Sequence, residues 1–364
     1  AHTAPPQSEE ELYNRYAVPW AQGEGAEPRE KAFPWHPMGS FTHRPPGYAL
    51  FLGVVYRMAG IENWAAVRQV QVWIDLASLL LLYALGILVW GGGGGRAAGL
   101  ASALLMARYD YLLSFVARLL SETVYLFLGL SFLVLALLAQ SKGRPGLTLL
   151  AGYVLGWANL TRPFVIFLAP GYLLWLLLAP RLAGRWRHLA AAALGLGLAI
   201  GPVTWRNWQF HGRLIPISSN SGFTLYNSIA KVEGLSAPQD LPSEESIDAL
   251  GLGELDEQAA FRRAALDYMR SHPQDLPLIF GRKLRVFLAA KEGHKVSHVL
   301  VHTPWDAWLY PVALLGGLAS LLVRPRQRWH ERLLLLLAIA SQVAVCLLTN
   351  TESRYRVPIV PLLT

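Results

Sequence analysis

The sequence predicts an all-α polytopic membrane protein. Of its 364 residues, 53% are hydrophobic and only 15% charged, where an average soluble domain is about a quarter charged. Mean hydropathy is positive. Apolar runs that reach or approach the ~20 residues needed to cross ~30 Å of hydrocarbon recur along the chain. The net charge of +8 sits in short Lys/Arg clusters between those runs rather than along one face, so membrane orientation explains it and no nucleic acid is expected as a partner. The single cysteine, Cys346, lies in an apolar run, which leaves neither a disulfide framework nor a cysteine metal site.

Spans are expected near 70–90, 97–116, 123–139, 147–160, 164–178, 189–205, 305–323 and 333–348, with a ninth beginning at 357. The two short runs around "NLTRP" read equally as a pair of broken helices, because Pro163 disfavours helix at Arg162 and cannot donate a backbone hydrogen bond. "GGGGG" at 91–95 reads as a flexible turn. Alternate loops carry Arg96; Lys142 and Arg144; Arg181, Arg185 and Arg187; and Arg324, Arg326, Arg328 and Arg332. These loops are expected on the cytoplasmic side.

Alternation then puts the acidic N-terminal segment, "RLLSE", "NLTRP", the 206–304 stretch and "TESRYR" together on the opposite face. Four regions follow: 1–65, a first periplasmic loop with interfacial helices; 66–205, a membrane bundle of about six spans; 206–304, a periplasmic loop region; and 305–364, further bundle. The start lacks the basic and apolar regions of a signal peptide. With the span parity, and with "RYRVPIVPLLT" stopping at the onset of an apolar run, this gives the expectation of a missing first span, or else an exported tail, and of a missing C-terminal portion. Within 206–304, Phe261, Ala264, Ala265 and Tyr268 stand at i, i+3, i+4 and i+7. That is an amphipathic helix, expected against the membrane surface or the rest of the outer face.

Five groups on the outer face could carry chemistry. In "SEEELYNRYA", helical spacing puts Glu9, Tyr13 and Tyr16 on one face, and a carboxylate there is either solvated or a general base. In "FTHRPPGYALFLGVVYRMAG", Arg44 stands before two prolines in a restricted backbone, fit for a fixed phosphate contact or for snorkelling, ahead of an apolar helix too short to span. Glu122 and Asp75 lie at or inside the outer ends of predicted spans, where ionisable groups are paired or functional, with Arg118 and Arg162 as their partners. The stretch "WRNWQFHGRLIPISSNSGFTLYNS", with Arg206, Asn207, Asn220 and Tyr226, offers donors to a sugar or a phosphate. In "NTESRYRVPIVP", Arg354 and Arg356 flank Tyr355, two guanidinium forks at headgroup level that suit a lipid-linked phosphate or plain interfacial anchoring.

In order along the chain, "ELYNRYA", "HRPPGYALFL", "VRQVQVWIDLASLLLLY", "LLSETVYLFL", "NLTRPFVIFL", "WRNWQFHGRLIPISSNSGFTLYNS" and "ESRYRVPIVP" resemble the bacterial membrane glycosyltransferases related to protein O-mannosyltransferases and to lipid A aminoarabinose transferases. The resemblance covers almost the whole chain and implies a GT-C-like helical bundle with interfacial helices in the first outer loop. It implies a multi-pass protein of the inner (plasma) membrane, its active site facing the periplasm or exterior. A sugar would pass from a polyprenyl-phosphate carrier, among membrane lipids, to a lipid, glycan or protein acceptor.

The family's first-loop acid stands four residues before a Tyr and serves as the catalytic base. Counting back from Tyr13 gives Glu9, with glutamate where relatives have aspartate, and Glu10 if the register slips by one. The resemblance implies inverting single displacement, with Arg44, Arg354, Arg356 and Arg206 on the carrier phosphate. Tyr13, Glu122, Arg162, Asn207, Asn220, Tyr226 and Tyr355 would contact substrate. No metal-ligand spacing is present; the family leaves a divalent ion open, for which His36, His43 and His211 are the candidates. The alternatives are a homologue without catalysis or a lipid-linked sugar transporter, the latter expecting paired broken helices of which only "NLTRP" is evident.

Overall fold

The computed structural model describes residues 9–23, 42–163, 167–179, 182–232, 235–288 and 328–349, with 313, 315–317 and 362 beside them. No strand occurs among the described residues. The helices are α1 (Glu9–Ala21), α2 (Gly47–Ala59), α3 (Trp64–Trp90), α4 (Gly92–Arg108), α5 (Asp110–Val116), α6 (Glu122–Lys142) and α7 (Pro145–Thr161). They continue as α8 (Leu168–Leu178), α9 (Arg185–His211), α10 (Ser221–Ala230), α11 (Glu244–Asp248), α12 (Glu254–Ser271), α13 (Leu276–Leu288) and α14 (Trp329–Leu348). Among the described residues, α3, α6, α9 and α14 are long and apolar enough to cross a membrane.

Local sequence explains where these helices stop and start. The Asn63 side chain accepts the Ala66 amide at 3.1 Å and caps α3. Pro145 opens α7, where its missing N–H costs nothing. Gly143, at φ 59°, ends α6 in the left-handed region. At the other end of α7, Arg162 is extended (φ −147°, ψ 119°) ahead of Pro163, as the pre-proline restriction requires. α7 has 17 residues and α8 has 11, so "NLTRP" is a break between two short helices.

Two expectations change. The glycine run turns at Gly91 and Gly92 (φ 66° and 55°), and from Gly92 on it is already in α4. The reason is packing: a Cβ on Gly95 would sit 2.8 Å from the Gly86 carbonyl oxygen of α3, so helix contact there demands a glycine inside the helix. The predicted span 97–116 is two helices, because Tyr109 is extended (ψ 94°) and α5 leaves the axis of α4. The expected spans at 305–323 and from 357 fall outside the described residues.

One apolar core runs through the bundle and takes in α1 and α2. α7 packs on α9 and α3 on α4 and α6. Where the 328–332 segment enters α14, Arg328 Nη1 donates to Leu88 O at 2.9 Å and the Arg332 guanidinium lies 4.2 Å from the Trp90 ring centroid. Two of the basic loops expected on the cytoplasmic side therefore meet at one end of the bundle, called the inner end; α1, α2 and the 109–121 connection lie at the other, called the outer end.

α10, α11, α12 and α13 have their own core around Phe261, Tyr226 and Ile279. The face of α12 carrying Phe261, Ala265 and Tyr268 is buried there, with the Phe261 ring edge to face with Phe223 at 5.1 Å and tilted against Tyr226 at 5.0 Å, both of α10. Its partner is thus the outer subdomain itself and not the membrane surface. Lys283 of α13 is buried and donates to Leu347 O and Thr349 O, both at 2.8 Å, which fastens this subdomain to the end of α14. Burial pushes its amine down to about 7.

Candidate active site at the outer end of the bundle

Three glutamate–arginine pairs, each joining different segments, gather at the outer end. The first turn of α1 contributes two of the acids, favourably placed against the helix dipole. Arg44 Nη1 donates to Glu9 Oε1 at 3.2 Å. Arg118 Nε, from the "RLLSE" turn, donates to Glu10 Oε1 at 2.8 Å. Arg162 Nη1 lies 2.5 Å from Glu122 Oε1, so the pre-proline break of α7 meets the first turn of α6. Glu11 turns outward and pairs with Arg15 one helical turn on.

The pairs differ in access. Side-chain exposure is 2% and 11% for Glu122 and Arg162, 7% and 22% for Glu10 and Arg118, but 27% and 33% for Glu9 and Arg44. Removing one partner of a buried ion pair costs roughly 3–5 kcal/mol, because the other charge is left without compensation. Glu9 and Arg44 can exchange partners with a ligand from solvent at lower cost than the other two pairs.

Aromatic and amide groups fix this geometry. Tyr13 meets Tyr48 edge to face at 4.9 Å, and the Tyr48 hydroxyl donates to Gln71 Oε1 at 2.7 Å. Gln71 Nε2 donates to Val116 O (2.9 Å) and Arg118 O (2.7 Å), so one fully buried amide ties α2, α3 and the turn bearing Arg118. Burial, then the neighbouring Tyr13, Tyr56, Glu122 and Glu10, push the Tyr48 phenol well above its ordinary range, so it stays a donor. Burial raises Tyr16 too, with Arg44 opposing and Glu254 adding. A Cβ on Gly47 would come within 2.7 Å of Leu160 C and O and Thr161 N, so only glycine lets α2 start against the end of α7.

The second outer segment reaches the same place. Asn207, fully buried, donates to Ile215 O and Ile217 O at 3.0 and 3.2 Å and folds the chain back after α9. Ser219 N then donates to Thr42 O at 2.9 Å, and His211 Nε2 lies 2.9 Å from Thr42 Oγ1. The Ser219 hydroxyl donates to Glu254 at the start of α12.

Of the residues singled out from sequence, the structure brings together Glu9, Glu10, Tyr13, Arg44, Glu122 and Arg162. Arg118 serves Glu10, and not Glu122 or Asp75. Arg206 donates to Asn207 Oδ1 at 3.4 Å. Asn220 accepts from Ser218 Oγ at 3.0 Å ahead of α10. Tyr226 is in the outer subdomain core, its hydroxyl on Pro242 O at 2.6 Å. Arg354, Tyr355, Arg356 and His36 lie outside the described residues.

Sequence reading did not single out Gln71, Thr42, Ser219 or Glu254. An amide inside an apolar run was the one available signal, for Gln71. No group of three or more His, Cys, Asp or Glu that could hold a metal ion occurs among the described residues. His211 shares its Nε2 hydrogen bond with Thr42 Oγ1, so the described residues around it do not make a metal centre.

Residues 43–205 match the family described as dolichyl-phosphate-mannose-protein mannosyltransferase. No curated protein sequence matches. Among solved structures, the chain superposes on the archaeal oligosaccharyltransferase AglB of Archaeoglobus fulgidus, in complex with an inhibitory peptide and a dolichol-phosphate. The TM-score is 0.59 at 15% identity, over 98% of this chain and 46% of that one. The apo form of the A. fulgidus oligosaccharyltransferase gives a TM-score of 0.59 at 14% identity, over the same 98% and 46%. ArnT of Cupriavidus metallidurans aligns over 99% of this chain and 72% of its own at 18% identity, with a TM-score of 0.43. The chain thus has the GT-C membrane glycosyltransferase fold, as its motif order implies, and spans less than half the length of the archaeal structures it matches.

Proposed function

We propose that this chain is a glycosyltransferase that moves a sugar from a polyprenyl-phosphate carrier to an acceptor hydroxyl of a lipid, glycan or protein. The reaction takes place at the outer end of the bundle, which the Lys/Arg distribution assigns to the extracytoplasmic face of the plasma membrane. The observation that carries the reading is the Glu9–Arg44 pair. It is the most accessible of the three pairs, and it sets a carboxylate against a cation able to take a phosphate, Arg44, which lies at the start of the stretch that matches the mannosyltransferase family. The dolichol-phosphate in the complex of the archaeal neighbour supports a lipid-phosphate carrier.

In the proposed step the acceptor oxygen attacks the anomeric carbon while Glu9 takes its proton. The bond from that carbon to the carrier phosphate breaks, and the phosphate leaves with the electron pair. Configuration at the carbon inverts. Arg44 releases Glu9 and stabilises the charge growing on the leaving phosphate, the place where a preorganised cation lowers a barrier most. Arg354, Arg356 and Arg206 are assigned to the same phosphate, and Tyr13, Asn220 and Tyr355 to substrate; Asn207 and Tyr226, buried on Ile215 O, Ile217 O and Pro242 O, shape the outer segment instead. Glu10 stays with Arg118 and Glu122 with Arg162, holding the floor of the site.

The test is transfer from polyprenyl-phosphate sugars by purified full-length protein. Glu9→Gln is expected to lower kcat by about 10²–10⁴-fold, the worth of a general base, with donor binding retained, and Glu9→Asp to keep measurable turnover. Wild-type turnover in Glu9→Gln would overturn the assignment.

A further inference from the structure

We infer that Thr42, His211 and Ser219 are positioning residues that set where Arg44 stands, so that attachment of the outer subdomain tunes affinity for the carrier phosphate. The inference rests on the reading of Arg44 as a ligand of that phosphate.

The segment "THRPPG", residues 42–47, is clamped at both ends. At its start Thr42 is buried; its carbonyl accepts from Ser219 N, and its hydroxyl shares a hydrogen bond with His211 Nε2, both at 2.9 Å. At its end Gly47 is wedged against the Leu160–Thr161 backbone. Between the clamps, Pro45 and Pro46 fix their own φ angles, and Pro45 restricts Arg44. Few backbone rotations remain, so the two clamps decide where the Arg44 backbone stands, and from there its guanidinium reaches Glu9, 3.2 Å away.

The first clamp belongs to another part of the molecule. Ser219 is buried, and its hydroxyl is bound by Glu254, the first residue of α12. His211 is the last residue of α9. A displacement of the outer subdomain therefore reaches Arg44 through Thr42, two residues away. Electrostatics runs along the same line, since both Arg44 and Glu254 act on the buried Tyr16 phenol between them.

The experiment measures binding of farnesyl phosphate, a short prenyl phosphate, to the full chain in lipid nanodiscs by calorimetry, with thermal midpoints recorded alongside. Arg44→Ala is expected to weaken binding at least tenfold. Thr42→Val and His211→Phe should each weaken it about fivefold, the worth of one hydrogen bond. Their combination should cost no more than either alone, since both remove the same bond. Thr42→Ser, which keeps the hydroxyl, should bind within about twofold of wild type. A purely structural role would lower the thermal midpoint and leave the affinity of the folded fraction unchanged. Wild-type affinity in folded Thr42→Val and His211→Phe would overturn the inference while the reading of Arg44 stands. Equal binding by wild type and Arg44→Ala, or no binding by wild type, would overturn that reading and this inference with it. If Thr42→Val does not fold, His211→Phe and Thr42→Ser decide the matter.

Discussion

The two ends of the bundle are both rich in arginine, and they use it differently. At the inner end the guanidinium groups meet backbone and rings: Arg328 on Leu88 O, Arg332 over Trp90. Around them Trp175 stacks on His330 at 4.7 Å and donates to its carbonyl at 2.8 Å. At the outer end Arg44, Arg118 and Arg162 each face a carboxylate from a different segment. Arginine alone therefore marks no function here. The partner is what differs: Arg332 over a ring desolvates one charge, whereas each sealed outer pair desolvates two, a cost that a fold carries for register or for chemistry.

The sharpest way to break this contrast is to unpair the outer end. Arg162→Met leaves Glu122 buried without its guanidinium and is expected to cost roughly 3–5 kcal/mol, read as a fall in the detergent-solubilised thermal midpoint. Adding Glu122→Gln should recover much of the loss. If the single variant is as stable as wild type, the pair is not the floor of the site.

Next in size is Gly47→Ala. Its Cβ would meet backbone atoms at 2.7 Å, so α2 must move, at about 1–3 kcal/mol for an overpacked contact. Because Arg44 sits on that segment, transfer activity should fall further than stability does. Equal falls in both would mean that the start of α2 serves packing alone.

The matching change at the inner end is smaller. Arg332→Met removes the stacked cation over Trp90 and is expected to cost about 0.5–2 kcal/mol, with sugar transfer by the folded protein unaltered. A loss of turnover there would erase the distinction between the two ends.

The smallest effect concerns an acid of the outer subdomain that faces no arginine among the described residues. Burial, then Asp248 beside it, raises Glu257 from its ordinary 4.5 to about 7. A carboxyl whose folded value lies above its unfolded one contributes stability that is complete below about pH 4.5 and lost as pH rises through about 7. Hydrogen exchange in α11 and α12, corrected for intrinsic rates, should therefore show less protection at pH 8 than at pH 6. Glu257→Gln should flatten that difference; an unchanged slope in the variant would assign it to another group.

Much of this protein was legible in sequence because membrane insertion and local stereochemistry act over short distances. Apolar runs of span length made it helical, because a backbone in lipid must satisfy its own hydrogen bonds and the closed-barrel alternative needs short alternating strands instead. Pro163 ended α7 at Thr161 and left Arg162 extended, and helical spacing put Tyr13 four residues from Glu9 on α1. Alternating Lys/Arg placed the polar motifs together on one side, and the structure brings Glu9, Arg44, Glu122 and Arg162 to one end.

Tertiary structure alone decided which charge meets which. Glu9 and Glu10 are neighbours in one acidic turn, yet one pairs with Arg44 and the other with Arg118, 108 positions away. A helix turns its successive residues about 100° apart, so adjacent acids face different neighbours, and those neighbours are fixed by how α2 and the turn after α5 pack. The same holds for Gln71, Thr42 and Ser219, whose partners are far along the chain and leave no local pattern. Composition and periodicity set the helices and their ends; packing between distant segments separated the accessible pair from the sealed ones.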